Sequence, residues 1–320
     1  MKIARYEHNG FEHVGIIRKG LVNSLPDGTD VLEILNLPLN ERNFVEATAG
    51  RHHRAPLDEV RLLPPIQPRA MRDFVAFEQH IEGMKKSEGG DGTVPEAWYE
   101  APAFLFMNPW SLTGPNDDIP LPPYTAAFDF ELEVAAIVGA TVRDVSVADA
   151  ADSIVGYAIL NDWSARDIQG REMTVGLGPS KGKDFANTLG PWITSADEFE
   201  KYRTDDGRLD LAMTVSINGV EVGSDRLSNL GWSFEELLAH AARGAWVGAG
   251  DVLATGTCAS GSLAETWSRT GVRYPPPLAA GDVVSMSVDG LGTITNRIVE
   301  PVSTAVPVPP ARRRILEDNA

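Results

Sequence analysis

The sequence predicts a β-rich α+β protein organised as a small N-terminal β unit over residues 1–68, a larger β-rich domain over 69–305 and a C-terminal tail over 306–320. Three observations lead there. Short alternating or β-branched runs outnumber helical patterns along the chain. The dipeptides Asn9-Gly10, Asn218-Gly219 and Asp289-Gly290 each separate two such runs, as tight hairpin turns require. A hydrophobic fraction of 43% over 320 residues supplies a sizeable core, and 30 Gly and 22 Pro supply its turns.

Taken in order, "KIARYEH", "FEHVGIIRKG" and "LVNSLP" read as strands, the first two joined at Asn9-Gly10. A helix-like segment over "VLEILNLPLNERNFVEATAG" follows, and the prolines of "RLLPPIQP" mark a boundary near 62–68. The periodicity of "RDFVAFEQHIEGM" predicts a helix over 72–84, with Phe74, Phe77, Ile81 and Met84 as its apolar stripe. Asp73 and His80, seven apart, then share a face, which on spacing alone also reads as the solvated side of a surface helix. Beyond it strands dominate: "AFLFM", "FELEVAAIVG", "DLAMTVSING", "VEVGSD", "GDVLATGT" and "GDVVSMSVDGLGTITNRIV". The clearest helix is "SFEELLAHAARG", where Ser233 and Glu236 make a capping box and Gly244 a stop. The tail "VPVPPARRRILEDNA" is expected to be partly ordered or packed on a partner.

A net charge of −17, from 28 basic and 45 acidic residues, argues against a nucleic-acid or anionic-membrane partner. Any anionic substrate must be captured by local positive charge. The single cysteine, Cys258, leaves no internal disulfide framework. The start "MKIARYEHNG" has no apolar core of signal-peptide type, and no run approaches the ~20 apolar residues of a spanning helix, so a cytoplasmic location is expected.

Four segments carry polar residues that a core would not choose. In "FDFELEVAAIVG" Asp129, Glu131 and Glu133 occupy every second position, so a strand would line their carboxylates along one face. The following run "VAAIVG" implies burial on both faces, where like charges repel unless a cation sits among them. Oxygen-only ligands suit Mg²⁺, Ca²⁺ or Mn²⁺; the chain lacks the cysteine pairs and the i, i+4 histidine pair expected for zinc. In "NDWSARDIQ" an apolar run ends at Asp162, and Arg166 and Gln169 at i, i+3 can face one anion. Lys181 and Lys183 lie in the glycine-flanked loop "GPSKGKDF", and Glu265 follows the turn "ATGTCASGS". Each of these alone also reads as an ordinary surface charge.

Together these strings resemble the fumarylacetoacetate hydrolase family over residues 69–300: "ELE", "NDWSARDIQ", "LGPSKGKDF" and "ATGT" followed by "GSLAETW" stand in the family's order, NDWSARDIQ being the most specific. The resemblance implies a mixed β-roll catalytic domain that cleaves a carbon–carbon bond in a 2,4-diketo acid, an acylpyruvate or fumarylacetoacetate-like substrate. It implies that Asp73, Glu131, Glu133 and Asp162 hold one divalent ion per chain, Mg²⁺ or else Ca²⁺ or Mn²⁺. It makes His80 the base on water, oriented by Glu265, and gives Arg166, Gln169 and Lys183 the developing negative charge; Thr257 falls on a substrate-contacting position. Asp129 matches no ligand and supports the site at most from behind. A homodimer is expected. Members of the same fold also decarboxylate oxaloacetate-like acids, isomerise keto–enol pairs or hydrate, and a non-catalytic carboxylate-binding protein is the remaining alternative. Two stretches depart from patterns of the family. "FLFMNPWSLTGP" stands where the hydrolase that names the family carries a Tyr-His-Gly-Arg loop, with Asn108 where similar bacterial members carry lysine, and the glycine-rich "HIEGMKKSEGGDGTVPEAWYEAP" after His80 is longer than in the compact bacterial members and reads as a lid or as a plain surface insertion.

Overall fold

The computed structural model describes residues 1–51, 53–87, 91–304 and 306–312. Its centre is a mixed twelve-stranded sheet. Along the main path run, in order, Arg54–Pro56, Leu21–Ser24, Phe11–Arg18, Lys2–His8, Asn187–Ser195, Ile154–Asp162, Leu132–Val138, Val252–Ala254, Met71–Phe74 and Phe104–Met107. A second sheet of five strands is built from the hairpins Ala212–Ile217/Val220–Arg226 and Val283–Val288/Gly292–Val299, with Ile119–Pro120 on its edge. The Asn-Gly and Asp-Gly dipeptides stand at the tips of the three expected hairpins, and Asn9 and Asn218 adopt the positive φ such turns need.

The central strands explain where the site can sit. Every residue of Leu132–Val138 and Ile154–Asp162 is buried. On one face Leu132, Val134, Ala136 and Val138 pack with Leu237 and Leu238 of the helix Phe234–Ala242 and with Met286 and Ile294 of the second sheet. On the other, Ala135 and Ile137 pack with Ile3, Ile16, Val31 and Leu35 from the N-terminal segment. The apolar continuation after the acids is therefore covered twice, so the carboxylates at its mouth stand at the end of a rigid, dry sheet.

Two expected elements differ. The segment after residue 30 is two helices, Val31–Leu35 and Leu39–Thr48, because Pro38 cannot continue the first and instead caps the second. Residues 72–84 are not one helix: Met71–Phe74 is a buried strand, parallel to Val252–Ala254 and antiparallel to Phe104–Met107, and the helix begins only at Glu78. Sheet pairing on both edges outweighs the helical periodicity there. The Ser233–Glu236 capping box forms as expected, on a helix that ends at Ala242. Of the tail, residues 306–312 are exposed and without regular structure, and 313–320 lie outside the described residues.

Candidate metal centre and active site

Four carboxylates converge from three strands of the central sheet, two of them neighbours and the third one strand further along. Asp73 comes from Met71–Phe74, Glu133 from Leu132–Val138, Asp162 ends Ile154–Asp162, and Glu131 precedes its strand by one residue. Each offers an oxygen, and the four oxygens lie within 4.8 Å of one another. None of the four residues is more than 6% exposed, so water does not screen them. Register brings them together: Leu132 pairs with Asn161, which sets Glu131 and Asp162 side by side, and both Asp73 and Ala135 pair with Ala254.

Charge is only partly balanced here. Lys183 Nζ donates to Glu131 Oε2 at 2.5 Å, Asp162 Oδ2 at 2.6 Å and Ser164 Oγ at 3.0 Å. Arg166 Nη1 donates to Glu131 Oε1 at 2.7 Å. Burial would push Glu131 up, but Lys183 and Arg166 outweigh it and hold this carboxyl well below its usual range. Burial and the Asp162 charge push Asp73 well up, burial and Asp73 do the same to Glu133, and burial lifts Asp162 to about 6 against the pull of Lys183. Asp73 Oδ1 and both oxygens of Glu133 are buried without a hydrogen-bond partner. Orphaned, mutually repelling oxygens in an all-oxygen donor set fit a hard divalent cation, which would bind them and remove the repulsion.

Beside the cluster, His80 Nδ1 lies 2.8 Å from Glu265 Oε2. Burial would raise the Glu265 carboxyl, but the hydrogen bond to His80, its charge and the Ser260 amide draw it below its usual range. A carboxylate there fixes the proton on Nδ1 and leaves Nε2 free to accept one. The pair forms because the helices Glu78–Ser87 and Leu263–Thr270 approach closely at Gly83. A Cβ on Gly83 would come within 2.6 Å of Glu265 Cγ. Arg269, one turn beyond Glu265, holds its other oxygen at 2.8 Å, and Ser262 caps the helix start.

Asp129 has a structural task. Its oxygens accept from the Leu263 and Ala264 amides at 2.9 Å and from Arg166 Nε at 2.8 Å, tying the N-terminus of the Glu265 helix to the arginine. It lies outside the four-carboxylate group, and the expected single strand breaks at residues 130–131, where Asp129 Oδ1 and Asn161 Oδ1 take the amides of Phe130 and Glu131. Arg166 opens the helix Arg166–Met173, and its Nη1 also reaches Gln169 Oε1 at 3.0 Å, as the i, i+3 spacing suggests. Its Nη2 is buried with no partner, a donor left for an anion.

An inner cavity of about 210 Å³ is lined by Asp73, His80, Glu131, Gln169, Lys183 and Thr257 among others. An outer cavity of about 710 Å³ shares His80, Glu131 and Gln169 with it and adds Arg166. All the residues expected from the sequence therefore border one of the two except Glu133, Asp162 and Glu265, which stand directly behind them. Lys181 is exposed and paired with Asp184, a surface charge. Asn108 binds Ser111 and the Asp184 carbonyl and shapes a turn outside both cavities. Of the stretch after His80, residues 88–90 lie outside the description, while its far end is pinned by Trp98, whose indole donates to the Val75 carbonyl and packs on Trp232. Gly83, Arg269 and the anchoring by Asp129 were not apparent from sequence. The traces available were a glycine one turn after the histidine and an arginine four residues after the glutamate.

The family model for the C-terminal domain of fumarylacetoacetate hydrolase matches residues 69–299. Oxaloacetate tautomerase YisK of Bacillus subtilis (strain 168) is 28% identical over 245 residues, 76% of this chain and 74% of that protein. Among solved structures, a fumarylacetoacetate hydrolase from the psychrophile Exiguobacterium antarcticum superimposes with a TM-score of 0.72 at 27% identity, over 94% of this chain and 99% of that one. A 5-carboxymethyl-2-hydroxymuconate delta-isomerase from Mycobacterium smegmatis does so with a TM-score of 0.68 at 25% identity, over 94% and 100%. With the matched region holding the whole carboxylate cluster and the His80–Glu265 pair, the chain belongs to the fumarylacetoacetate hydrolase family.

Proposed function

We propose that this chain is a cation-dependent hydrolase that cleaves a carbon–carbon bond in a 2,4-diketo acid, an acylpyruvate or fumarylacetoacetate-like compound. The observation that carries the reading is His80, held by Glu265, bordering the same cavity as Asp73 and Glu131 of the carboxylate cluster. A protein that only decarboxylates needs an enolate stabilised and no activated water, whereas hydrolysis needs a base as well.

Asp73, Glu131, Glu133 and Asp162 would hold one ion, Mg²⁺ in the first instance with Ca²⁺ and Mn²⁺ as alternatives. When bound, it supplies Lewis-acid polarisation of the dicarbonyl oxygens. His80 Nε2 takes a proton from water while Glu265 keeps the imidazole oriented, and the hydroxide adds to the acyl carbonyl. Arg166 Nη2 and Lys183, with Gln169 positioned by Arg166, meet the oxyanion. The bond from that carbon to the central methylene then breaks: the acyl part leaves as a carboxylic acid and the enolate of the keto acid takes the proton back from His80. Thr257 borders the inner cavity where the keto acid would lie.

We also infer a homodimer. Phe106, Trp110 and Trp246 are more than half exposed and available to an apolar interface, and sedimentation is expected to give twice the chain mass. Among the described residues no helix is long and apolar enough to cross a membrane.

The hydrolase reading is tested with protein stripped of metal, then given Mg²⁺ or Mn²⁺ and offered acetylpyruvate, fumarylpyruvate, fumarylacetoacetate and oxaloacetate, with products identified by NMR. Two acids from a diketo acid, lost in His80→Ala, support it. Pyruvate and CO₂ from oxaloacetate with His80→Ala still active, or enol–keto exchange without cleavage, overturns it.

A further inference from the structure

The outer cavity is larger than the reacting dicarbonyl requires. The inner cavity, about 210 Å³, falls below the ~300–1,000 Å³ of ordinary small-molecule sites, and the outer one, about 710 Å³, lies within that range. They meet at His80, Glu131 and Gln169, so a substrate whose dicarbonyl occupies the inner cavity must send its acyl arm outwards.

The arm's route is apolar and its end is basic. Met84 from the His80 helix, Met173 from the end of the Arg166 helix and Trp267 from the Glu265 helix form the walls. At the outer rim stand Lys85, Lys86 and Arg273. Lys86 is committed to Glu82 at 2.8 Å. Arg273 is different: its guanidinium lies 5.7 Å over the Trp267 ring, and among the described residues it pairs with no carboxylate. In a chain of net charge −17, a basic rim around an apolar channel is a local reversal of sign. A cation–π contact draws a guanidinium towards an aromatic face while leaving its donors free for a carboxylate.

Resting on the assignment of the inner site to a dicarbonyl, we propose that Arg273 determines specificity: the substrate's acyl arm lies between Met84, Met173 and Trp267 and ends in a second carboxylate received by Arg273. The preferred substrates are thus diketo acids with an anionic acyl terminus several carbons from the reacting carbonyl.

The test reads binding, so that it does not depend on turnover. Straight-chain 2-oxo acids, ending in either carboxylate or methyl at matched lengths from five to eight carbons, are titrated calorimetrically into the Mg²⁺-loaded full chain. The 2-oxo acid head takes the inner site and the series finds the reach to the rim. At the fitting length the carboxylate-ended acid is expected to bind roughly tenfold or more tightly than its methyl-ended match. Arg273→Gln should erase that preference, Arg273→Lys should restore part of it, and neither should change binding of the methyl-ended acid, which also reports that the variants are folded. Equal affinities for the two ends at every length, or a preference that persists in Arg273→Gln, overturns the assignment and leaves the hydrolase reading standing. Failure of every 2-oxo acid to bind overturns both.

Discussion

His80 and Glu265 lie 185 positions apart in the chain and 2.8 Å apart in the fold. Removing the proposed base by His80→Ala is expected to lower turnover by about 10²–10⁴-fold while leaving cation affinity unchanged, since no imidazole nitrogen belongs to the four-carboxylate group. Kinetics paired with metal titration check it, and a parallel loss of cation affinity would show that His80 acts through the metal site instead. At this scale the sequence was most legible where a residue's type contradicts its surroundings. Glu131, Glu133 and Asp162 betray themselves as acids inside apolar strand runs, and Arg166 and Gln169 by their helical spacing. Asp129 shares the first signal but does another job. Its partners are amides at residues 263 and 264 and an arginine side chain, and no local pattern records them.

Between elements, the contact that matters is that of the two helices Glu78–Ser87 and Leu263–Thr270. Gly83 permits it. Gly83→Ala favours the isolated helix but places a methyl against Glu265 Cγ, so the Glu265 side chain or the helices must shift, and the carboxylate is expected to move from Nδ1. Turnover should fall at least tenfold with cation affinity retained, and the protein should lose on the order of 1–3 kcal/mol of stability from overpacking. Unchanged kinetics together with an unchanged melting temperature would show that the neighbouring side chains absorb the methyl. Hairpins and the capping box could be read from local chemistry because their determinants lie within a few residues. The strand Met71–Phe74 could not: its four residues carry part of a helical stripe, and only partners 30 to 181 positions away make them a strand. That misreading still grouped Asp73 with His80, because strand end and helix start open into the same cavity.

For the whole molecule, the carboxylate cluster is expected to make stability depend on pH and on added divalent ion together. Asp73 and Glu133 are pushed well up and Asp162 to about 6, so the metal-free folded state binds more protons than the unfolded chain. Their contribution is fully present below the ordinary carboxylate range and is lost as pH rises through the raised values. The depressed groups Glu131 and Glu265 act in the opposite sense, and their contribution is lost only on acidification below that range. Metal-free protein should therefore melt at lower temperature as pH goes from about 5 to 8, and saturating Mg²⁺ should give a gain that grows over the same interval. At a free concentration a hundred times the dissociation constant that gain is ~2.7 kcal/mol, and calorimetric melting at several pH values measures it. A gain that is flat or shrinks with pH would mean that the ion is held elsewhere.

The central claim, that water activated by His80 breaks a carbon–carbon bond, is tested most directly by turning over a diketo acid in ¹⁸O-labelled water with the Mg²⁺-loaded protein and weighing the released acids at early times. Hydrolysis predicts one water oxygen in the new carboxylate of the acyl product for each bond broken, with no release in His80→Ala. Consumption of substrate without a labelled new carboxylate would contradict it and leave a site that forms and protonates enolates only.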